Sequence, residues 1–493
     1  MLKQLAFAFL AALSAPAMDM AVLMPAGAAK DPEWRKVGEA LVAKYPGEAR
    51  AFTVDWHVAE TLPALRKLRP RHLVLVAPPE QISRNLVYDL NRLTRKLDDD
   101  PYGDCLWGII TGYTPADALR TIAQREPLVL RRGLGTTGFD TGLFDEAMFL
   151  SDGQDGVITR RTGGKNVDDK REKNDEGLAF EFRKFWEQEK PQFLVTSSHA
   201  TQYNLEMPFG NGLLVSYANR FHVLRRDQLP GFARFLGGVI FQGREADLKA
   251  FLEKEKPPVL ADSSAVPKVW NGAGNCLLGD TRRSRNSMVV TAMSSGGVRQ
   301  LIGYTVTTWY GNMGWGSFGR FLGSRGRDTF AESFFFTNQA LLDDSIKRDP
   351  KILEVEFNDA DIEAAQRNPE FAEEIQRAGI KVDKDVLGLI HDRDVVAFFG
   401  DPRWEARVDG KAHPPALQVA ARRSAKGIDL QLEAGPDYKG DGFDWFFPAV
   451  IPAPKLEDGD GVDALLTDDF ILVRKTPLKP GEKRILRIVT AAP

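Results

Sequence analysis

The chain has 493 residues, 43% of them hydrophobic and 27% charged, the balance of an ordinary globular protein rather than a disordered or fibrous one. Its formal net charge of −3 gives no reason to expect a polyanionic partner, so nucleic acid is set aside. Two cysteines, Cys105 and Cys276, cannot build a disulfide framework or a Cys-rich zinc site, and at roughly 100–200 residues per domain the length implies two to four domains.

Lys3, the apolar run Leu5 to Leu13 and the small residues Ala15-Pro16-Ala17 read as a secretion signal over residues 1–17. The run is too short to span a bilayer, and no other segment reaches transmembrane length. Export to the periplasm, cell surface or exterior is the expectation.

From Met20 the pattern alternates. A short apolar strand at 20–24 precedes a helical spacing from Pro32 to Lys44, with Asp31 as its N-cap. Then come a strand at 50–54, a helix at 58–68, a buried strand at 71–77, a helix at 86–97, a strand at 105–111 and a helix at 115–123. Such alternation predicts a parallel sheet covered by helices. The Gly- and charge-rich stretch 131–175 reads as exposed loops, and Gly163-Gly164-Lys165 within it as a basic turn rather than a phosphate loop. Alternation resumes with a helix at 177–189 and strands at 192–196, 267–270 and 300–304; helices are expected at 246–254 and 329–344. From about Pro415, short strands separated by turn clusters carry the signature of a small β-sandwich. Trp404, Trp445, Phe446 and Phe447 are most simply its core.

Two strand ends carry the chemistry. FLVTSSHAT runs an apolar strand into His199, and VWNGAGNCLLGDT runs another into Cys276. In an open parallel sheet the carboxyl ends of strands form the rim where sites are built. A thiol with a pKa near ~8.5 is mostly protonated at neutral pH. A nearby imidazole can take that proton and return it to a leaving amine. The amide N–H groups of Cys276 and Ala200 are the candidates to receive a developing oxyanion, and Gly272, Gly274 and Gly279 would let backbone approach a peptide closely. His57, His72, His222, His391 and His413 have no comparable setting. Cys105, in a strand beside Trp107, reads as a buried thiol.

Several stretches resemble the gingipain-type cysteine peptidases in order along the chain. Cys276-Leu-Leu-Gly279-Asp280 is similar to the family's Cys-x-x-Gly-Asp, and Ser197-Ser-His-Ala200 to its strand-end Gly-His-Gly. Residues 297–309 (GVRQLIGYTVTTW) are similar to its strand leading into a Ser/Thr-rich loop with a Trp. Residues 394–402 (DVVAFFGDP) resemble its Val-Phe-Gly-Asp-Pro, and 99–119 its N-terminal subdomain. The resemblance covers about residues 70 to 493. It implies a three-layer α/β/α caspase-like domain in two subdomains, 18–125 and 126–412, followed by an immunoglobulin-like β-sandwich, 413–493. It further implies a cysteine-type endopeptidase acting on protein or peptide substrates, with Cys276 as nucleophile, His199 as base and Trp309 bordering the pocket for the residue before the cut.

No metal or organic cofactor is required for that chemistry. Structural calcium, frequent in the family, would find oxygen ligands at Asp98-Asp99-Asp100 or along 458–463 (DGDGVD). Ser198 and Ala200 depart from the family's glycines, and residues 201–266 form an insertion able to shape or cover the cleft. The alternatives are a caspase-like scaffold without activity and a surface-binding protein.

Overall fold

The computed structural model describes residues 18–55, 57–171, 177–229, 245–356, 373, 376–381, 384–424 and 426–490. The secretion signal expected over 1–17 lies outside them.

The first strand shows how sequence sets the layers. β1 (Met20–Pro25) is buried throughout, so it cannot have a wet face. Met20, Val22 and Met24 point into one apolar cluster, with Trp34, Val37 and Leu41 of the helix Pro32–Lys44. Ala21 and Leu23 point into the other, with Val87 and Leu90 of the helix Arg84–Thr94. Period-2 alternation between two helical layers is what an interior parallel strand requires. Asp31 caps the first helix as expected, accepting from the Glu33 and Trp34 N–H groups.

β2 (Ala49–Val54), β3 (His72–Val76) and β4 (Leu106–Ile110) complete this half in the order β2-β1-β3-β4, all parallel. A short β5 (Leu128–Leu130) stands apart. β6 (Arg132–Gly135), β7 (Glu146–Leu150), β8 (Val157–Thr162), β9 (Lys165–Lys170) and β10 (Phe193–Thr196) follow. Four of these strands occupy the stretch expected as loops. The reason is legible afterwards: Gly163 and Gly164 both have positive φ and join β8 to β9 as a two-residue hairpin. The charged alternation of VITRRT and KNVDDK belongs to strands at the open edge of the sheet.

The insertion supplies a meander, β11 (Asn204–Glu206), β12 (Gly212–Tyr217) and β13 (Arg220–Arg225). Leu205, Leu214 and Val223 anchor it on the main core, and its opposite face meets the helix Glu245–Glu255 through Leu213, Leu224 and Leu248. β14 (Lys268–Gly272), β15 (Val298–Tyr304) and β16 (Val396–Gly400) close the centre. One twelve-stranded sheet results, in the order β2-β1-β3-β4-β16-β15-β14-β10-β6-β7-β8-β9. The two halves meet where β16, antiparallel to β15, touches β4 through the single register pair Phe399↔Ile109. β17 (Ala406–Val408) pairs with β5.

Beyond it, β18 (Leu417–Arg423), β19 (Gly427–Ala434), β20 (Phe443–Phe446), β21 (Pro454–Glu457), β22 (Asp463–Leu466), β23 (Phe470–Lys475) and β24 (Lys483–Thr490) form two small antiparallel sheets around a separate core. β23 is two-faced. Ile471 and Val473 enter that core, while Phe470 meets Phe335 and Phe336 of the helix Phe330–Arg348. The aromatic assignments shift accordingly. Phe447 lies in the C-terminal core with Trp445 against it, but Trp404 belongs to the α/β core, donating Nε1–H to the Glu126 carbonyl. Phe446 packs on Phe335 and under the Arg71 guanidinium.

Candidate functional site

β10 and β14 are neighbours and parallel, with Thr196 level with Gly272. The segments leaving them, 197–199 and 273–276, therefore emerge side by side on the carboxyl rim. A buried side chain ties them. Asn275 Nδ2–H donates to the Ser198 carbonyl at 2.9 Å, and Thr196 Oγ1, which accepts from Trp270 Nε1 at 2.8 Å, donates to Asn275 Oδ1. Asn275 is a residue that sequence reasoning passed over. Its signal was its place directly before Cys276, and nothing in its own type announced the tie.

The chain turns sharply after Cys276. Leu277 has φ +59°, an unfavourable region for a branched side chain. It is held there by its N–H on the Val306 carbonyl at 3.1 Å. Two residues on, the Gly279 N–H bonds the Tyr304 carbonyl at 2.9 Å. A Cβ at Gly279 would stand 2.3 Å from the Gly303 carbonyl oxygen, and one at Gly272 2.4 Å from Leu278 Cδ2. A Cβ at Gly274 would stand 2.2 Å from Ser197 Oγ. These glycines thus serve close packing of the turn, on β15 and on the His199 segment. Asp280 is also structural. Its carboxylate takes Arg84 Nε–H and Nη2–H at 3.0 and 2.9 Å, both residues buried, so the turn is clamped to the N-terminal half.

Cys276 is partly buried and free, as is the fully enclosed Cys105. The Thr308 N–H lies 3.3 Å from its sulfur. Burial pushes the Cys276 thiol above its ordinary pKa, partly offset by that N–H and by the residue's own amide. His199 is exposed; its carbonyl accepts the Glu206 N–H at 2.9 Å. Among the described residues, no hydrogen bond joins the His199 ring to the Cys276 sulfur. The structure brings the two segments together, and among the described residues the ring has no hydrogen-bond partner. Ala200 is buried and bridges Leu205. Neither its amide nor that of Cys276 donates to another residue's backbone carbonyl among the described residues.

Trp309 follows Thr308 and is 56% exposed. One side of it lines a cavity of about 450 Å³ with Tyr310, Arg348, Lys384 and Asp385. A larger cleft of about 620 Å³ lies between the helix Asn312–Gly323 and the C-terminal sheets, lined by Arg320, Asp444 and Arg474 and by none of the expected site residues.

The carboxylates considered for calcium separate. Asp98 and Asp100 share a cluster with Asp468, and Asp98 a second with Asp104 and Asp469, donor oxygens lying within 4.8 Å of one another. An all-oxygen set of this kind suits calcium, although Arg69 already bonds Asp98 and Asp468, and Arg71 bonds Asp469. The 458–463 turn is tied by guanidinium groups instead. Arg484 donates to the Asp458 and Asp460 carbonyls, and Arg487 to the Asp458 carboxylate.

The chain is thus a mixed α/β protein with a thiol and an imidazole carried on adjoining strand ends. No protein-family profile matches it, nor does any curated protein. Two solved structures are similar over most of their length. The Arg-specific cysteine proteinase gingipain R is 11% identical, with 96% of this chain and 95% of that one covered and a TM-score of 0.43. The complex of Porphyromonas gingivalis RgpB pro- and mature domains is 12% identical, with 95% and 96% covered and a TM-score of 0.40. No helix among the described residues is long and apolar enough to cross a membrane.

Proposed function

We propose that the chain is a cysteine-type endopeptidase acting outside the cytoplasm on protein or peptide substrates. Cys276 attacks the scissile carbonyl, and His199 takes the thiol proton and returns it to the leaving amine. The Ala200 and Cys276 amides receive the oxyanion, and Trp309 walls the pocket for the residue before the cut. The observation that carries this reading is the parallel pairing of β10 with β14, whose ends Asn275 staples together just before Cys276. The thiol's raised pKa means that the resting sulfur is protonated, so the reaction needs a base. No metal or organic cofactor enters the chemistry; a structural calcium would be held by Asp98, Asp100 and Asp468.

A second reading is an inactive scaffold that binds a partner. It is favoured by the sulfur resting on Thr308 N–H with no bond to the His199 ring. A peptidyl thiol-reactive probe separates the two. Labelling of Cys276 that far outpaces iodoacetamide and is lost in His199→Ala supports the peptidase. Labelling at the rate of an ordinary thiol, unchanged in His199→Ala, supports the scaffold.

A further inference from the structure

Seven large apolar side chains are exposed among the described residues: Val129, Val167, Phe209, Val259, Trp309, Trp315 and Ile485. Scattered aliphatic exposure needs no explanation. The aromatics are different: Trp309 and Trp315 flank the segments beside Cys276, and Phe209 follows the strand that bonds the His199 carbonyl.

Trp309 is next to Thr308, whose N–H meets the Cys276 sulfur. Trp315, 39% exposed, projects from the first turn of the helix Asn312–Gly323. A Cβ at Gly311 would stand 2.9 Å from its Cδ1, and a Cβ at Gly274 would stand 3.5 Å from its Nε1. Its indole therefore lies between the segment approaching Cys276 and the segment carrying Thr308 and Trp309. Gly311, at φ +80°, both makes the turn and leaves room for the ring. Phe209 follows β11, whose Glu206 N–H bonds the His199 carbonyl. It is 47% exposed at φ +58°, a strained backbone for a bulky residue that burial does not explain.

The carboxylates on the Cys276 side of this rim, Asp280, Asp392 and Glu206, are buried. Asp280 is held by Arg84. Asp392 is fully buried and accepts from Tyr304 Oη and the Met313 N–H. Glu206 is closed off at 5% exposure. Asp385 and Asp344 lie on the far side of Trp309, exposed and within 3.5 and 3.8 Å of Arg348 and Arg474.

We propose that Trp315, with Trp309, forms an aromatic-walled subsite beside Cys276 that selects a large apolar side chain, such as Phe, Tyr or Leu, in the bound peptide. Trp315 is then the specificity-determining residue. The substrate assignment rests on the peptidase reading, but the subsite can be tested by binding alone. A flat apolar side chain gains both area burial and ring-on-ring contact with an indole. A cationic side chain over an indole face is the competing occupant.

The test uses the full chain carrying Cys276→Ser, titrated calorimetrically with acetyl-Ala-Ala-Phe-amide and acetyl-Ala-Ala-Arg-amide. The Phe peptide is expected to bind at least about 10-fold more tightly than the Arg peptide. Trp315→Ala should abolish the difference and Trp315→Phe restore most of it. Trp309→Ala, a solvent-exposed change, provides a second reading should Trp315→Ala unfold by circular dichroism. Equal or tighter binding of the Arg peptide overturns the proposal, as does a Phe preference untouched by either alanine variant. A Phe chloromethyl ketone is then added to the unmodified chain. Phe-selective binding with no adduct at Cys276 leaves the subsite standing and removes the peptidase reading.

Discussion

The two reactive side chains at the rim are held in opposite ways. The Cys276 turn is locked: Asn275 bonds the neighbouring segment, Leu277 is held in a left-handed conformation, Gly279 packs on Gly303, and Asp280 is clamped by Arg84. At the His199 end the backbone is held by Asn275 and the Glu206 N–H, but the ring is exposed and makes no hydrogen bond among the described residues. A nucleophile must hold one position against the scissile carbonyl, whereas a base that serves first the thiol and then the leaving amine needs freedom to turn. The contrast teaches that stability and activity should respond separately to changes at the two ends.

The sharpest break should come at the clamp. Arg84→Ala leaves Asp280 buried without its ion-pair partner, with the Arg282 N–H still on one oxygen, and should cost about 3–5 kcal/mol in urea unfolding. An effect below about 1 kcal/mol would mean that the turn is not held from the N-terminal half. Asn275→Ala comes next, at about 1–3 kcal/mol, because it removes the donor to the Ser198 carbonyl and the acceptor of the Thr196 hydroxyl proton. It should also slow probe labelling of Cys276 by loosening the pair of strand ends.

Glu206 sharpens the comparison through pH. It lies beside the His199 segment, and burial raises its carboxyl pKa to about 8. The folded state therefore keeps a proton that the unfolded chain releases in the ordinary carboxylate range. Stability from this group is complete below that range and is lost as pH rises toward about 8. Glu206→Gln should stabilise the chain more at pH 8 than at pH 4, and identical melting shifts at both values would refute the sign. The smallest stability effect is expected at the exposed ring. His199→Ala should change unfolding by no more than about 0.5 kcal/mol, yet lower peptide hydrolysis by about 100-fold or more.

Much of the architecture was readable because it rests on periodicity. The alternation of strands and helices from Met20 to Ala123 appears with shifted boundaries, and the Asp31 cap is in place. The hairpin at 157–170 was not readable, because its polar edge strands carry no apolar period and its only signal is a pair of glycines. The site divides in the same way. His199 and Cys276 stood out by following apolar strands, but Asn275 and Trp315 did not, since their roles depend on neighbours distant along the chain.

The sequence by itself determined which segments are buried on two faces, where the helices begin, and that a thiol and an imidazole follow interior strands. These are local properties of side-chain pattern and capping. The tertiary structure decided that β10 lies next to β14, that β16 runs antiparallel between the two halves, and that the motif glycines serve packing. Strand order and close backbone approach arise from contacts between residues far apart in the chain, which no local pattern encodes.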